Sequence, residues 1–159
     1  MLNEKKELYI APFKDTRWLC LSSLFFTIPS YYAYINNLYF HSITLLTASL
    51  ISANYWRKAT YSWRRNIDLM FAKIAFIIFF SDGIYYITSE NYLITGSVAL
   101  ITSSYCFYLS SKLHKLHNNN WYKYHLLFHL ISTYQQFIVI DSIKNKNNVV
   151  KRSGSTEYF

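Results

Sequence analysis

The sequence predicts an all-α fold, a polytopic transmembrane helical bundle of about five spans. Three observations predict it. Only 15% of residues are charged while 52% are hydrophobic and 20% aromatic. Between Arg17 and Arg57 lie 39 residues without a formal charge, about 58 Å if wound as one helix. A soluble helix of that length needs a charged outer face, so the run reads as two spans joined by a tight turn. Further charge-free runs lie between Glu90 and Lys112 and between Lys123 and Asp141.

Taken in order, residues 1–17 form a mixed-charge inner tail, residues 18–143 the helical domain and residues 144–159 a polar tail. The first span covers residues 18–35, with a kink expected at Pro29 that neighbouring helices accommodate. Asn36-Asn37 makes the turn, and the second span covers residues 38–56. A basic loop follows, with Arg57, Lys58, Arg64 and Arg65. Residues 67–87 form a third span interrupted by Lys73 and Asp82, for which snorkelling or an ion relay are the two readings. Residues 92–111 and 121–143 form the fourth and fifth spans, joined by a linker carrying His114, His117 and an Asn triplet. No internal repeat is visible. A cleavable leader is not expected, because the first apolar stretch starts only at Trp18.

With the N-terminus inside, the inner side holds 11 of the 16 basic residues and the outer side holds 4, all in the C-terminal tail. The two outer connections carry none, which favours this orientation. The net charge of +8 therefore follows from membrane topology, and no nucleic-acid partner is expected. The partners expected are the lipid bilayer and other membrane proteins. Trp18, Trp56, Trp63 and Trp121 fall near inner boundaries and read as an aromatic belt. Cys20 and Cys106 sit in apolar segments and read as buried thiols rather than a disulfide framework.

The sharpest local signal is His125-Leu-Leu-Phe-His129. An i, i+4 pair puts both imidazoles on one helix face, as a metal chelate or a pair of interhelical hydrogen bonds requires. The pair enters from the inner side, with His125 and His129 roughly 6 and 12 Å deep. Ser52 and Trp56 close the second span and Asp68 opens the third, so all five residues share one depth. His41 lies at the opposite end.

At these residues the chain resembles the CREST superfamily of membrane hydrolases: alkaline ceramidases, adiponectin-receptor-like proteins and Per1 lipid-remodelling factors. The resemblance rests on Ser52-Ala-Asn-Tyr-Trp56, Asp68 and Tyr124-His125-Leu-Leu-Phe-His129-Leu130, matched in order across residues 49–140. It implies a bundle in which histidines hold zinc and a Ser and an Asp support hydrolysis of a lipid amide or ester. Ser52 and Asp68 would be the catalytic pair. Two departures stand out. Trp56 occupies the place of the first zinc-ligating His, and the chain has room for about five spans where the family has about seven. With His125 and His129 alone, zinc would need a carboxylate as third ligand, for which Asp68 is the candidate. The expectation is therefore an empty or weak site, with no cofactor. Three function classes remain: a reduced CREST-like protein without hydrolysis, a non-enzymatic assembly or scaffold subunit, and a small transporter or channel, which three glycines and no filter-like stretch make the poorest fit.

Overall fold

Apolar length without charge becomes helix throughout. The computed structural model describes residues 9–154, with side chains to residue 149, and apart from one isolated bridge the regular structure among them is helical. Helix α1 (Phe13–Ser23) passes through a 3-10 turn (Leu24–Phe26) into α2 (Thr27–Ile35). Pro29 has no N–H for the Phe25 carbonyl, and its ring crowds that carbonyl. The helix therefore tightens just before the proline, where Thr27 Oγ1 donates to the Leu24 carbonyl at 2.7 Å.

The turn at Asn36-Asn37 closes as its composition suggests. Asn37 has φ 61°, a left-handed conformation that asparagine tolerates, and Leu38 N–H donates to the Ala33 carbonyl at 2.9 Å. Helix α3 (Tyr39–Arg57) runs back, and α4 (Trp63–Tyr86), α5 (Glu90–Lys115) and α6 (Trp121–Gly154) follow in alternating directions. His117, with φ 53°, turns the chain between α5 and α6. Helix α6 is the hub, packed against α1, α2, α4 and α5, while α3 packs against α1, α2 and α4.

The interior holds small hydroxyl residues and the exterior holds large apolar ones. Ser22, Ser23, Ser49, Ser52, Ser103 and Ser110 are buried. Phe40, Ile43 and Leu50 on α3, Ile74, Ile77 and Phe80 on α4, and Leu93, Val98 and Ile101 on α5 are exposed. That is the reverse of a bundle sorted by water. Small residues let helix backbones approach, and their hydroxyls satisfy one another or a carbonyl. Two apolar clusters close the ends. Ala11, Leu19, Tyr55, Trp56, Ala59 and Trp121 form one, and Ala33, Leu45, Phe79, Val139, Ile140 and Ile143 the other.

Some expectations change. Helix α1 starts at Phe13, inside the stretch expected to be an inner tail, and α6 continues to Gly154, so the first part of the expected polar tail is helical. The aromatic belt is only half a belt. Trp18 and Trp63 are exposed, but Trp56 and Trp121 are core residues, 5% and 8% accessible. Their indoles face each other, with ring centroids 6.0 Å apart, where the end of α3 meets the start of α6. Among the described residues, two helices, Glu90–Lys115 and Trp121–Val149, are long and apolar enough to cross a membrane. The expected count was about five. Helices α1 and α2 are separately too short, and Lys73 and Asp82 break the apolar run of α4.

Candidate functional site

Antiparallel pairing sets the site. Ser22 and Ser23 lie near the end of α1, and Ser49, Ser52 and Trp56 lie on the returning part of α3, so the two helices meet at one level. Ser49 Oγ donates to the Ser23 carbonyl at 2.9 Å. Ser23 Oγ shares its one proton between the Leu19 carbonyl at 2.8 Å and Ser52 Oγ at 3.0 Å, and the Asp68 carboxylate lies beside Ser52 on α4. Ser52 and Asp68 are thus together.

His129 is buried, 3% accessible, with Nδ1 2.8 Å from Ser22 Oγ. Ser22 Oγ also lies 3.0 Å from the Leu19 carbonyl. Either Nδ1–H donates to Ser22 Oγ or Nδ1 accepts from it, according to the tautomer. His125 is half-buried, with Nδ1 3.3 Å from Ser110 Oγ on α5. The two imidazoles lie one turn apart with ring centroids 4.9 Å apart. Both face the bundle, and Phe26 of the 3-10 turn covers His129 at 5.5 Å.

Trp56 decides what the corner can hold. Its ring stands edge-on to His125, with centroids 4.9 Å apart, and Trp121 backs it. Its indole N–H is buried without a hydrogen-bond partner among the described residues. Among those residues no three of His, Cys, Asp and Glu form a group able to hold a metal ion. His125, His129 and Asp68 are therefore not gathered into one such group as placed here. The histidines turn their Nδ1 atoms to α1 and α5, and the Trp56 ring packs against His125.

Other expectations are also redrawn. Asp82 pairs with His41 of α3, Nε2 to Oδ2 2.8 Å, and Lys73 is exposed, so Lys73 and Asp82 do not form a direct pair. His114 is not a solvated linker residue. Its Nε2–H donates to the Ile10 carbonyl at 3.3 Å, and its ring packs on Trp121 at 5.1 Å. Cys106 is buried and Cys20 donates weakly to the Ala53 carbonyl at 3.4 Å, both as free thiols.

Sequence reasoning missed Ser22 and Ser110, the hydrogen-bond partners of the two histidines. A depth count would have found Ser22, which lies nine residues into α1 as His129 lies eight residues into α6. It also missed a second polar cluster at the opposite end, built on Asp141. Tyr32 donates to its carboxylate at 2.7 Å, Tyr92 at 2.9 Å and Asn145 at 2.9 Å. Lys144 donates to the Tyr32 hydroxyl at 3.1 Å. Comparison with protein-family models, curated proteins and solved structures finds no match to this chain.

Proposed function

We propose that the chain is a multi-pass membrane protein whose five helical units, α1–α2, α3, α4, α5 and α6, all cross the bilayer with the N-terminus inside. The observation that carries this reading is the inverted burial, with serines and threonines inside and Phe, Ile and Leu outside on every flank. In water such a surface would expose contiguous apolar patches, whereas in lipid it costs nothing. The kinked α1–α2 unit runs over residues 13–35, and at 1.5 Å per residue that is about 34 Å, enough to span. Lys73 snorkels, and Asp82 is hydrogen-bonded to His41 near the outer end. Reporters inserted after Asn66 and after Asn91 should label opposite sides, inner and outer, with the C-terminus outer. Both chain ends on one side would overturn the reading.

Within that bundle we infer a reduced, non-hydrolytic relative of the CREST proteins. The meeting of Ser52, Asp68, Trp56, His125 and His129 at one corner supports it, and Trp56 in a ligand's place is why hydrolysis is not part of it. Metal analysis of detergent-purified protein should find no stoichiometric zinc, and Trp56→His should gain it. Stoichiometric zinc in the wild type, lost in His125→Ala or Asp68→Ala, would revive the enzyme. A scaffold or complex-subunit role is the second reading. Helix α5, packed on α6 with its apolar outer face exposed, favours it.

A further inference from the structure

Lys73 stands apart from the other charged groups of the helices. Helix α4 packs on α3 and α6 and buries only Ala75 and Phe79 of its 24 residues. At about 100° per residue, Asp68 and Asp82 fall on the same side as those two, and Lys73 lies on the opposite face. It is exposed and forms no hydrogen bond or ion pair among the described residues. Asn66, Met70, Ile77, Phe80 and Ile84 share its face, alternately four and three residues apart, and all are exposed.

Depth gives this charge its meaning. Lys73 is the eleventh of the 24 residues of α4, about 15 Å from the Trp63 end of a helix about 36 Å long. In a hydrocarbon core about 30 Å thick that is close to the midplane. Snorkelling carries the ammonium toward the inner interface, but the lysine stem is shorter than a leaflet, and lipid phosphates lie outside the core. Charged groups this deep pair with one another. A carboxylate on another helix is the counter-ion that stands at the same level. The spacing supplies the geometry for such a helix. Asn66, Lys73 and Phe80 repeat every seven residues, as do Met70, Ile77 and Ile84, which is the seam on which two helices cross at about 20°. A polar residue in that seam fixes its register.

We propose that this face of α4 docks the membrane helix of a second protein, one that carries an Asp or Glu at mid-depth opposite Lys73. The pairing rests on α4 crossing the bilayer, as read above, and charge complementarity names the occupant. A second copy of this chain does not meet the requirement. A two-fold pairing through the seam would bring the two lysines together, where like charges repel. Nor does the chain turn a carboxylate outward at that depth among the described residues. Asp68 lies beside Ser52, Asp82 is bonded to His41 and Asp141 to Tyr32 and Tyr92. Asp15 and Glu90 stand in the first turns of α1 and α5.

The test is energy transfer in phosphatidylcholine vesicles between the full chain, donor-labelled at its C-terminus, and acceptor-labelled synthetic polyleucine membrane helices. The helices carry Asp, Leu or Lys at their central position. Wild type should bind the Asp helix roughly five- to thirtyfold more tightly than the Leu helix, and the Lys helix least. Lys73→Leu should lose that preference and Lys73→Arg should keep it. Lys73→Glu should prefer the Lys helix, a reversal that misfolding does not produce. Equal binding of the Asp and Leu helices by wild type overturns the proposal, as does an Asp preference that survives Lys73→Leu. Energy transfer between two labelled copies of the chain, abolished by Lys73→Leu, would make a second copy the occupant and overturn it too. The reporters after Asn66 and Asn91 read the span separately. Opposite sides without an Asp preference sink the docking alone, and one common side sinks the membrane reading and the docking with it.

Discussion

The two ends of this bundle solve the same problem with different chemistry. At the Asp141 end, a carboxylate is ringed by Tyr32 from α2, Tyr92 from α5 and Asn145 from its own helix, with Lys144 adjacent. Nearby, His41 from α3 meets Asp82 from α4 at 2.8 Å. Every helical unit contributes a polar group there, and the groups are charged or bonded to charge. At the histidine end one carboxylate, Asp68, lies beside Ser52, and the other polar groups are neutral pairs, Ser22 with His129, Ser23 with Ser52 and Ser110 with His125, packed among Trp56, Trp121 and Phe26. One end is tied by electrostatics and the other by aromatic packing. The difference teaches where a substitution should be felt.

Breaking the charged end should have the larger effect. Asp141→Ala removes the acceptor for two tyrosine hydroxyls and one amide together. Each such bond contributes about 1 kcal/mol at a partly exposed site, so the loss is about 2–3 kcal/mol. Asp141→Asn keeps one acceptor oxygen but turns an amide NH2 to the donors on the other side and gives up the Lys144 attraction, so it should cost part of the Asp141→Ala loss. Unfolding in a mixed-detergent titration measures both. Equal effects for Ala and Asn would mean that the staple needs both carboxylate oxygens together and gains nothing from one retained acceptor. No effect for either would erase the contrast between the ends.

The contrast also explains what was legible in the sequence. Charge-free runs announce helices because backbone groups without water must bond within the segment, and Asn36-Asn37 marks its turn because asparagine accepts positive φ. Depth along a helix was legible as well, since rise per residue places Ser52, Trp56, Asp68, His125 and His129 at one level. Lateral position was not. Whether Trp56 faces lipid or core depends on the rotation of α3 against its neighbours, which residue spacing leaves free, so a belt residue turned out to be a core residue. The same gap hid Ser22 and Ser110, ordinary serines until α1 and α5 bring them to the imidazoles. The Asp141 cluster was hidden because its tyrosines come from helices remote in sequence. The extension of α6 to Gly154 was hidden because Lys and Asn read as tail although lysine is a good helix former.

Trp56→Phe sharpens the comparison at its other limit, where a large side chain is cut with a small expected effect. The indole is a core residue, so the lost ring volume and the weakened edge contact with His125 should cost energy. An aromatic pair of this kind contributes roughly 0.5–1.5 kcal/mol, and a partly refilled cavity adds to the loss. Against this, the indole N–H is buried without a partner among the described residues, and leaving such a donor unpaired costs about 1–3 kcal/mol. Phenylalanine keeps an aromatic face toward His125 and Trp121 and removes that donor. The two effects oppose each other at similar size, so the net change should stay within about 1 kcal/mol. Detergent unfolding midpoints of Trp56→Phe and Asp141→Ala, measured side by side, check the ordering. A Trp56→Phe loss as large as that of Asp141→Ala would mean that the indole N–H holds an acceptor such as water or a lipid oxygen. The histidine end would then be a polar site like its counterpart, and a dry aromatic plug would be the wrong description of it.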